Sequence, residues 1–402
     1  MNSSFYDIII VGAGASGLIC ALECARAGKK VLILERQPIA GRKILVSGNG
    51  RCNFTNRFVS PSKYYPSNSP LIKNTLSSFP FQKCVDYFSS LGILYVEEEQ
   101  GRFFPFTGKA TAITDAFKAA LAETSVEIAY NQEVTRIQHA SFFTVYTKAT
   151  TFKAKKLVLA CGSCAYPQVS GTTLGYTLAQ QLGHSIISPI PSLSGWTLKE
   201  NFSRLSGIRA KVKLTFQEHQ REGEIIFTNY GINGPAALNM TPILTRLLSK
   251  QALTVTINFL VQVPHVQSFL TERFRQFPFR KPKEFFAGIV HESIANLLID
   301  FKGLRKNKPL QEQNPSTLKN AFETLEHWPI TVTGLRPWNE AMVAAGGVNT
   351  REINYNTCES LLCPGLFITG ELLDIDAISG GYNLHFAWAS GFSAAQELVK
   401  EK

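Results

Sequence analysis

The chain has 402 residues, 45% hydrophobic and 18% charged, which excludes whole-chain disorder and leaves room for two or three domains, each with its own core. Lys and Arg number 41 against 30 Asp and Glu, a net charge of +11; such an excess suits anionic cofactors, nucleic acid or membrane surfaces and says nothing about fold. Eight cysteines in a chain this long do not make a disulfide scaffold. The N-terminal stretch Met1-Asn2-Ser3-Ser4-Phe5-Tyr6-Asp7 has neither a basic region nor a cleavage site, and no apolar run approaches the roughly 18 residues of a spanning helix, so the chain reads as cytoplasmic with no membrane span.

Residues 6–11 form an Ile/Val run suited to a fully buried parallel strand. Residues 16–27 carry Leu18, Ile19, Leu22 and Ala25 at helical spacing, Gly28 stops that helix, and 30–35 is a second strand. The turn between strand and helix is Gly12-Ala13-Gly14-Ala15-Ser16-Gly17. Gly12 makes the tight bend, Gly14 lets the backbone approach a pyrophosphate, and Gly17 lets the helix pack on the strand, while the positive helix end faces the phosphates. Glu35 closes the second strand, where a carboxylate accepts both ribose hydroxyl hydrogens. Ala15, Ser16 and Arg36 are counted with the same site. Because it follows a strand, opens a helix and is followed by a correctly placed acid, this GxGxxG is a specific dinucleotide signal.

Residues 36–70 show no sustained period, and a long structureless stretch in a compact protein is usually functional. Within it, Gly41, Gly48 and Gly50 free backbone N–H groups, Arg42, Lys43 and Arg51 supply positive charge for a phosphate or an anionic flavin, and Ser47, Cys52 and Asn53 add small polar groups. Residues 109–123 read as a helix; 126–130, 133–138 and 142–147 read as a small β-meander; 156–160 reads as a buried strand ending at Cys161-Gly162-Ser163-Cys164. The composition changes after Gly183. Strand-like runs lie at 209–216, 223–228 and 253–260. Residues 266–326 look helical, with Phe269, Phe274, Phe285, Phe286, Leu297 and Leu298 as core candidates. Within 270–310, nine Lys and Arg face four acids. Strand character returns at 330–333. Near the C-terminus stand Gly370-Glu371 and Gly380-Gly381-Tyr382-Asn383. The first motif alone serves NAD or FAD; the second turns the reading to FAD, whose isoalloxazine–ribitol arm needs a further set of contacts.

The run from Gly41 to Asn56, after the GAGASGL turn, resembles the HI0933-like flavoproteins. Gly101-Arg102-Phe103-Phe104-Pro105, Cys161 to Pro167, Phe227 to Ala236, Gly346-Gly347-Val348 and Gly370 to Asp376 are similar to that family's motifs in order and spacing. The resemblance implies an α/β protein: a Rossmann-like FAD domain of the glutathione-reductase type at 1–190 and 346–402, interrupted by a β-barrel at 191–262 and 327–345 that carries a helical insert at 263–326. It implies that Glu371 contacts the ribitol or pyrophosphate and that Gly381, Tyr382 and Asn383 start a helix facing flavin N1 and O2. It further implies that residues 133–137, Val134 among them, meet the adenine side, and that Ala160, Cys161 and Gly162 belong to the flavin-binding turn. The chain departs from the family at Asn229 and Asn233, where His and Ser are usual, at His385, where Gln is common, and at Gly171 to Tyr176, which lacks an expected acid.

Cys161 and Cys164 have dithiol spacing, yet the turn needs small residues there, and packing is the preferred role, as it is for Cys52. The seven histidines show no metal spacing. No second complete GxGxxG occurs, so NAD(P)H is expected as a transient electron donor without a domain of its own. The expected function is an FAD-dependent oxidoreductase that passes hydride to an unsaturated or carbonyl-bearing small molecule entering between FAD domain and barrel, lined by Tyr166, Asn229, Asn233 and Tyr382. The alternative is a non-catalytic or RNA-associated flavoprotein, prompted by the basic insert, although RNA-module signatures are lacking and nucleic acid is not the expected partner. The sequence carries no signal for oligomeric state.

Overall fold

A computed structural model describes residues 5–248 and 250–400; residues 1–4, the start of the segment read above for targeting signals, lie outside the described residues. Strand β1 (Phe5–Val11), helix α1 (Ala15–Arg26) and strand β2 (Val31–Leu34) form the expected unit. β1 lies between β2 and the strand Thr151–Leu159 and runs parallel to both, with Ile9 opposite Leu32 on one side and Leu157 on the other. Ile8, Ile9 and Ile10 and all of β2 are buried. A strand covered on both faces has no polar alternation, hence the continuous apolar run. Gly28, just past α1, takes φ +80°, the left-handed stop that favours glycine.

The seven-stranded sheet runs Glu127–Ala129, β2, β1, Thr151–Leu159, Phe143–Thr147, Val134–His139, and Leu366–Ile368 joins it parallel to Thr151–Leu159. The C-terminal chain thus returns to the sheet begun by β1. The helix Tyr382–Leu398 crosses α1 closely: a Cβ on Gly391 would sit 2.2 Å from the Ser16 carbonyl oxygen.

Within the sheet and the loop that follows β2, details differ from expectation. Glu127–Ala129 does not open the meander but pairs in parallel with β2; three residues carry too little pattern to name their partner. The meander is Val134–His139, Phe143–Thr147 and Thr151–Leu159, and its last strand begins before residue 156 because its first half is a polar antiparallel arm. The stretch 36–70 contains a helix, Arg42–Gly50, broken at Ser47, Gly48 and Asn49. Only Ile44 of that helix is buried, so no apolar period betrays it.

The chain divides into two compact units, Met1–Ser192 with Trp338–Lys402, and Leu193–Pro337. The second contains a closed antiparallel barrel ordered Trp196–Leu198, Gly231–Asn233, His219–Phe227, Arg209–Phe216, Leu253–Asn258, Trp328–Leu335. Between the last two strands lie the helices Val266–Gln276, Pro282–Phe286, Glu292–Lys302 and Pro315–Glu326, where Phe285, Phe286 and Phe322 pack ring against ring. Phe269 is 38% exposed and is not the core residue its spacing suggests. Residues 338–345 fall in the first unit, where Val343–Val348 pairs with Ile186–Ser192. Among the described residues no helix is long and apolar enough to cross a membrane.

Candidate cofactor site

The three glycines of the turn meet different surroundings. Gly12 has φ +108°, and a Cβ there would lie 2.5 Å from the Ala160 carbonyl oxygen; a Cβ on Gly17 would lie 2.0 Å from that of Gly12. Both are demanded by the chain's own packing. Around Gly14 a Cβ would meet nothing within 4 Å. The fold itself does not need a glycine there, and the open space lies over the first turn of α1, begun by Ala15 and Ser16, where helix N–H groups favour an anion.

Glu35 is oriented across this turn. Its Oε2 accepts the Ala13 N–H at 2.8 Å and its Oε1 accepts the Gln37 N–H at 2.8 Å, which leaves each oxygen further acceptor capacity. Arg36 turns away: its Nη2 donates to the carbonyls of Ser170 at 2.6 Å and Gly171 at 3.2 Å. Val134 is buried at the start of its strand, and the Gln132 N–H on the way to it is held by the Glu35 carbonyl at 2.9 Å.

The 41–53 segment is fastened to the turn by the Gly41 N–H, which donates to the Ala13 carbonyl at 2.8 Å. Its cations are engaged by protein partners. Lys43 Nζ lies 2.5 Å from Glu371 Oε2, while Glu371 Oε1 accepts the Ala344 N–H at 3.2 Å. Arg42 Nη1 donates to Gln37 Oε1 at 2.6 Å. Arg51 pairs with Glu98 and stacks 4.2 Å over the Phe104 ring. The acids that engage Lys43 and Arg51 come from distant segments, which is why sequence alone shows only the positive charge. Ser47 Oγ donates to the Ile44 carbonyl at 2.7 Å. Gly48 and Gly50 take φ +56° and +79°, and a Cβ on Gly48 would lie 2.8 Å from the Asn53 nitrogen. Cys52 is fully buried, and burial pushes its thiol up to about 12.

The C-terminal motif sits against the N-terminal one. A Cβ on Gly370, at φ +69°, would lie 2.6 Å from Ser16 Oγ, and the Gly370 N–H donates to Ser390 Oγ at 2.9 Å. Gly381, at φ +98°, precedes the first helical residue Tyr382. Tyr382 is buried, its ring edge-on to Tyr64 at 6.2 Å. The Asn383 carboxamide is spent locally: Oδ1 accepts the Ala377 N–H at 2.9 Å and Nδ2 donates to the Ala377 carbonyl at 3.0 Å. His385 is fully buried. Its Nε2 donates to the Phe79 carbonyl at 2.9 Å and its Nδ1 accepts from Thr55 Oγ1 at 2.8 Å, and burial lowers it to about 4. It is a neutral strut with no free nitrogen to offer a substrate.

Gly162 takes φ +68°. Cys161 is partly exposed, but its thiol turns inward to the Val11 carbonyl at 3.6 Å, and burial pushes it up to about 12. Burial also raises Cys164. Of the four lining candidates, Tyr166 (φ +60°) and Tyr382 lie in the first unit, and Asn229 and Asn233 in the second. Asn229 is exposed, and Asn233 Oδ1 accepts the Gly234 N–H at 2.8 Å. The buried atoms Asn53 Oδ1 and Thr369 Oγ1, in or beside the segments just described, have no partner among the described residues. An open anion seat, an aligned carboxylate and enclosed, unsatisfied polar atoms fit a long dinucleotide such as FAD.

The family described as HI0933-like protein Rossmann domain matches residues 6–397. The chain is 30% identical to the 3-dehydro-bile acid delta(4,6)-reductase of Clostridium scindens, over 97% of this chain and 98% of that one. It is also 30% identical to the ribosomal RNA dihydrouridine synthase of Escherichia coli, over 99% of each. Among solved structures, 3-ketosteroid delta1-dehydrogenase from Sterolibacterium denitrificans aligns with a TM-score of 0.50 at 12% identity, over 99% of this chain and 100% of that one, a likeness of fold.

Proposed function

This chain belongs to the HI0933-like family of Rossmann-domain proteins, and from that membership we propose that it is an FAD-dependent oxidoreductase that reduces a carbon–carbon double bond conjugated to a carbonyl, with NAD(P)H as a transient donor. The observation that carries the reading is the joining of the two motifs: Gly370 against Ser16, and Glu371 against Lys43, beside the open Gly14 seat. FAD, when bound, supplies the ring that accepts a hydride and passes it on. The protein's part is to hold and polarise. Glu35 presents its remaining lone pairs to a ribose. The N-terminus of α1 takes the pyrophosphate. Glu371, fixed by Lys43 and Ala344, faces the ribitol. The start of the Tyr382–Leu398 helix places positive potential beside the pyrimidine edge. The substrate chemistry is drawn from the relatives' names, since an oxo-steroid Δ4,6 system and a uracil ring both contain an alkene conjugated to a carbonyl. Tyr166 and Tyr382, in the unit that carries the cofactor motifs, stay as lining candidates. The test is to mix flavin-loaded protein anaerobically with NADH and then NADPH. Rapid bleaching of the flavin absorbance supports the reading, and no bleaching with either removes NAD(P)H from it.

A second reading, an RNA-associated flavoprotein using FAD as a structural or redox-sensing element, is favoured by one surface. Phe279 is 76% exposed amid Arg280, Lys281 and Lys283, and the Arg280 guanidinium stacks 3.7 Å over Phe277. Exposed aromatics interleaved with cations suit unpaired bases.

A further inference from the structure

Residues 53–56 wrap the first turns of the C-terminal helix and spend their polar groups doing so. Asn56 Nδ2 donates to the Gly380 carbonyl at 2.9 Å, Thr55 Oγ1 to His385 Nδ1 at 2.8 Å, and the Phe54 carbonyl accepts Trp388 Nε1–H at 3.1 Å. The Asn53 carboxamide is the exception. The residue is 7% exposed, and its enclosed Oδ1 has no partner among the described residues. That oxygen stands at the helix entrance, 2.8 Å from where a Cβ on Gly381 would lie. The next N–H groups along the chain, those of Tyr382, Asn383 and Leu384, precede the first helical hydrogen bond, His385 N–H to the Gly381 carbonyl at 2.9 Å, and so have no partner within the helix.

A buried carbonyl oxygen without a donor costs about as much as a lost hydrogen bond, so its retention at this spot points to a donor from outside the chain. An acceptor beside a row of donors complements an imide edge, in which an N–H stands next to a carbonyl. The isoalloxazine pyrimidine ring presents such an edge. We propose that Asn53 is a positioning residue for the flavin ring: its Oδ1 accepts the ring N3–H, while the helix-terminal N–H groups take the neighbouring carbonyl oxygen. Glycine at 381 keeps Asn53 Oδ1 in place, because any side chain there would displace it. The inference rests on the FAD reading above.

The test is calorimetric titration of flavin-free protein with FAD and with 3-methyl-FAD, whose ring N3 carries a methyl group in place of hydrogen. Wild type should prefer FAD. Asn53→Leu, of similar size but without an acceptor, should lose roughly tenfold in FAD affinity and bind 3-methyl-FAD no more weakly than wild type does. Asn53→Asp keeps an acceptor; it should retain the FAD preference and lower the midpoint potential of the bound flavin, because its charge opposes added electrons. Equal losses for both flavins in Asn53→Leu, or no preference in wild type, would mean a packing role and overturn the proposal while leaving the FAD site intact. If Asn53→Leu does not fold, the Asp variant decides, and loss of its FAD preference overturns the assignment. A wild type that takes up neither flavin sinks both this inference and the FAD reading.

Discussion

Ala13 and Glu35 are joined across the mouth of the glycine turn, N–H to Oε2 at 2.8 Å. The same carboxylate that is proposed to grip a ribose therefore also fixes the loop against which the pyrophosphate would lie. Glu35→Gln keeps one acceptor oxygen but sets its NH2 against one of the two backbone N–H groups that the carboxylate accepts, so it should lose part of the stability that Glu35→Ala loses and bind FAD roughly tenfold more weakly, as a charge-assisted pair becomes a neutral one. Glu35→Ala removes the partner of both the Ala13 and the Gln37 N–H and should lose both FAD affinity and about 1–2 kcal/mol of stability. Titration with FAD and urea unfolding separate the two effects; full FAD affinity in either variant contradicts the ribose assignment.

The glycines of the turn should part company. Gly17→Ala drives a methyl into the Gly12 carbonyl and should cost about 3 kcal/mol or more, read as a lower urea midpoint. Gly14→Ala meets no atom of the chain and should unfold like wild type while losing FAD affinity, since the methyl occupies the space of the phosphates. A Gly14→Ala protein with undiminished FAD binding would move the cofactor elsewhere.

His385 makes stability depend on pH. Its proton affinity falls on folding from an ordinary value near 6.5 to about 4 because the ring is buried, so its contribution is complete above pH 6.5 and is lost as pH falls towards 4. Between pH 7 and 5 the loss should be about 2 kcal/mol. His385→Gln, carrying the residue common in the family, should flatten that slope in urea titrations at the two pH values. An unchanged slope would assign the acid sensitivity to other groups.

The dithiol spacing at Cys161 and Cys164 should have no redox consequence. Burial holds both thiols protonated at neutral pH, and the thiolate is the form that exchanges electrons. The double Ser variant should bleach with reductant at the wild-type rate under anaerobic mixing; a markedly slower rate would restore a dithiol role.

Neutralising Arg280, Lys281 and Lys283 together should reduce any salt-sensitive RNA binding and flatten its salt dependence, measured by filter binding between low and physiological salt. Lys283 is engaged with Glu292 at 2.6 Å, so most of the effect should come from Arg280 and Lys281. Binding that is unchanged in the triple variant removes the reason for the RNA reading.

The strand–helix–strand unit was legible because its signals are local: continuous burial, three glycines and one acid within a short span. The broken helix Arg42–Gly50 was not, since one buried residue makes no period. Partners supplied by tertiary structure were equally hidden. Nothing near Arg51 announces Glu98, nothing near Lys43 announces Glu371, and nothing near His385 announces Thr55 and Phe79, which take both its nitrogens. Asn53 could be picked out as a small polar residue in a glycine-rich loop, but its unsatisfied oxygen exists only once Gly381 is placed beside it.

The return of Leu366–Ile368 to the sheet begun by β1 has a consequence for the order of events during synthesis on the ribosome. The proposed phosphate seat is made early, but Glu371, Gly381 and the helix from Tyr382 leave the exit tunnel only after the whole Leu193–Pro337 unit has been made. A nascent chain therefore exposes half of the proposed binding site while the second unit is being made, and full capture of the cofactor must await the later segment. Ribosome-stalled chains ending before residue 366 should fail to retain FAD.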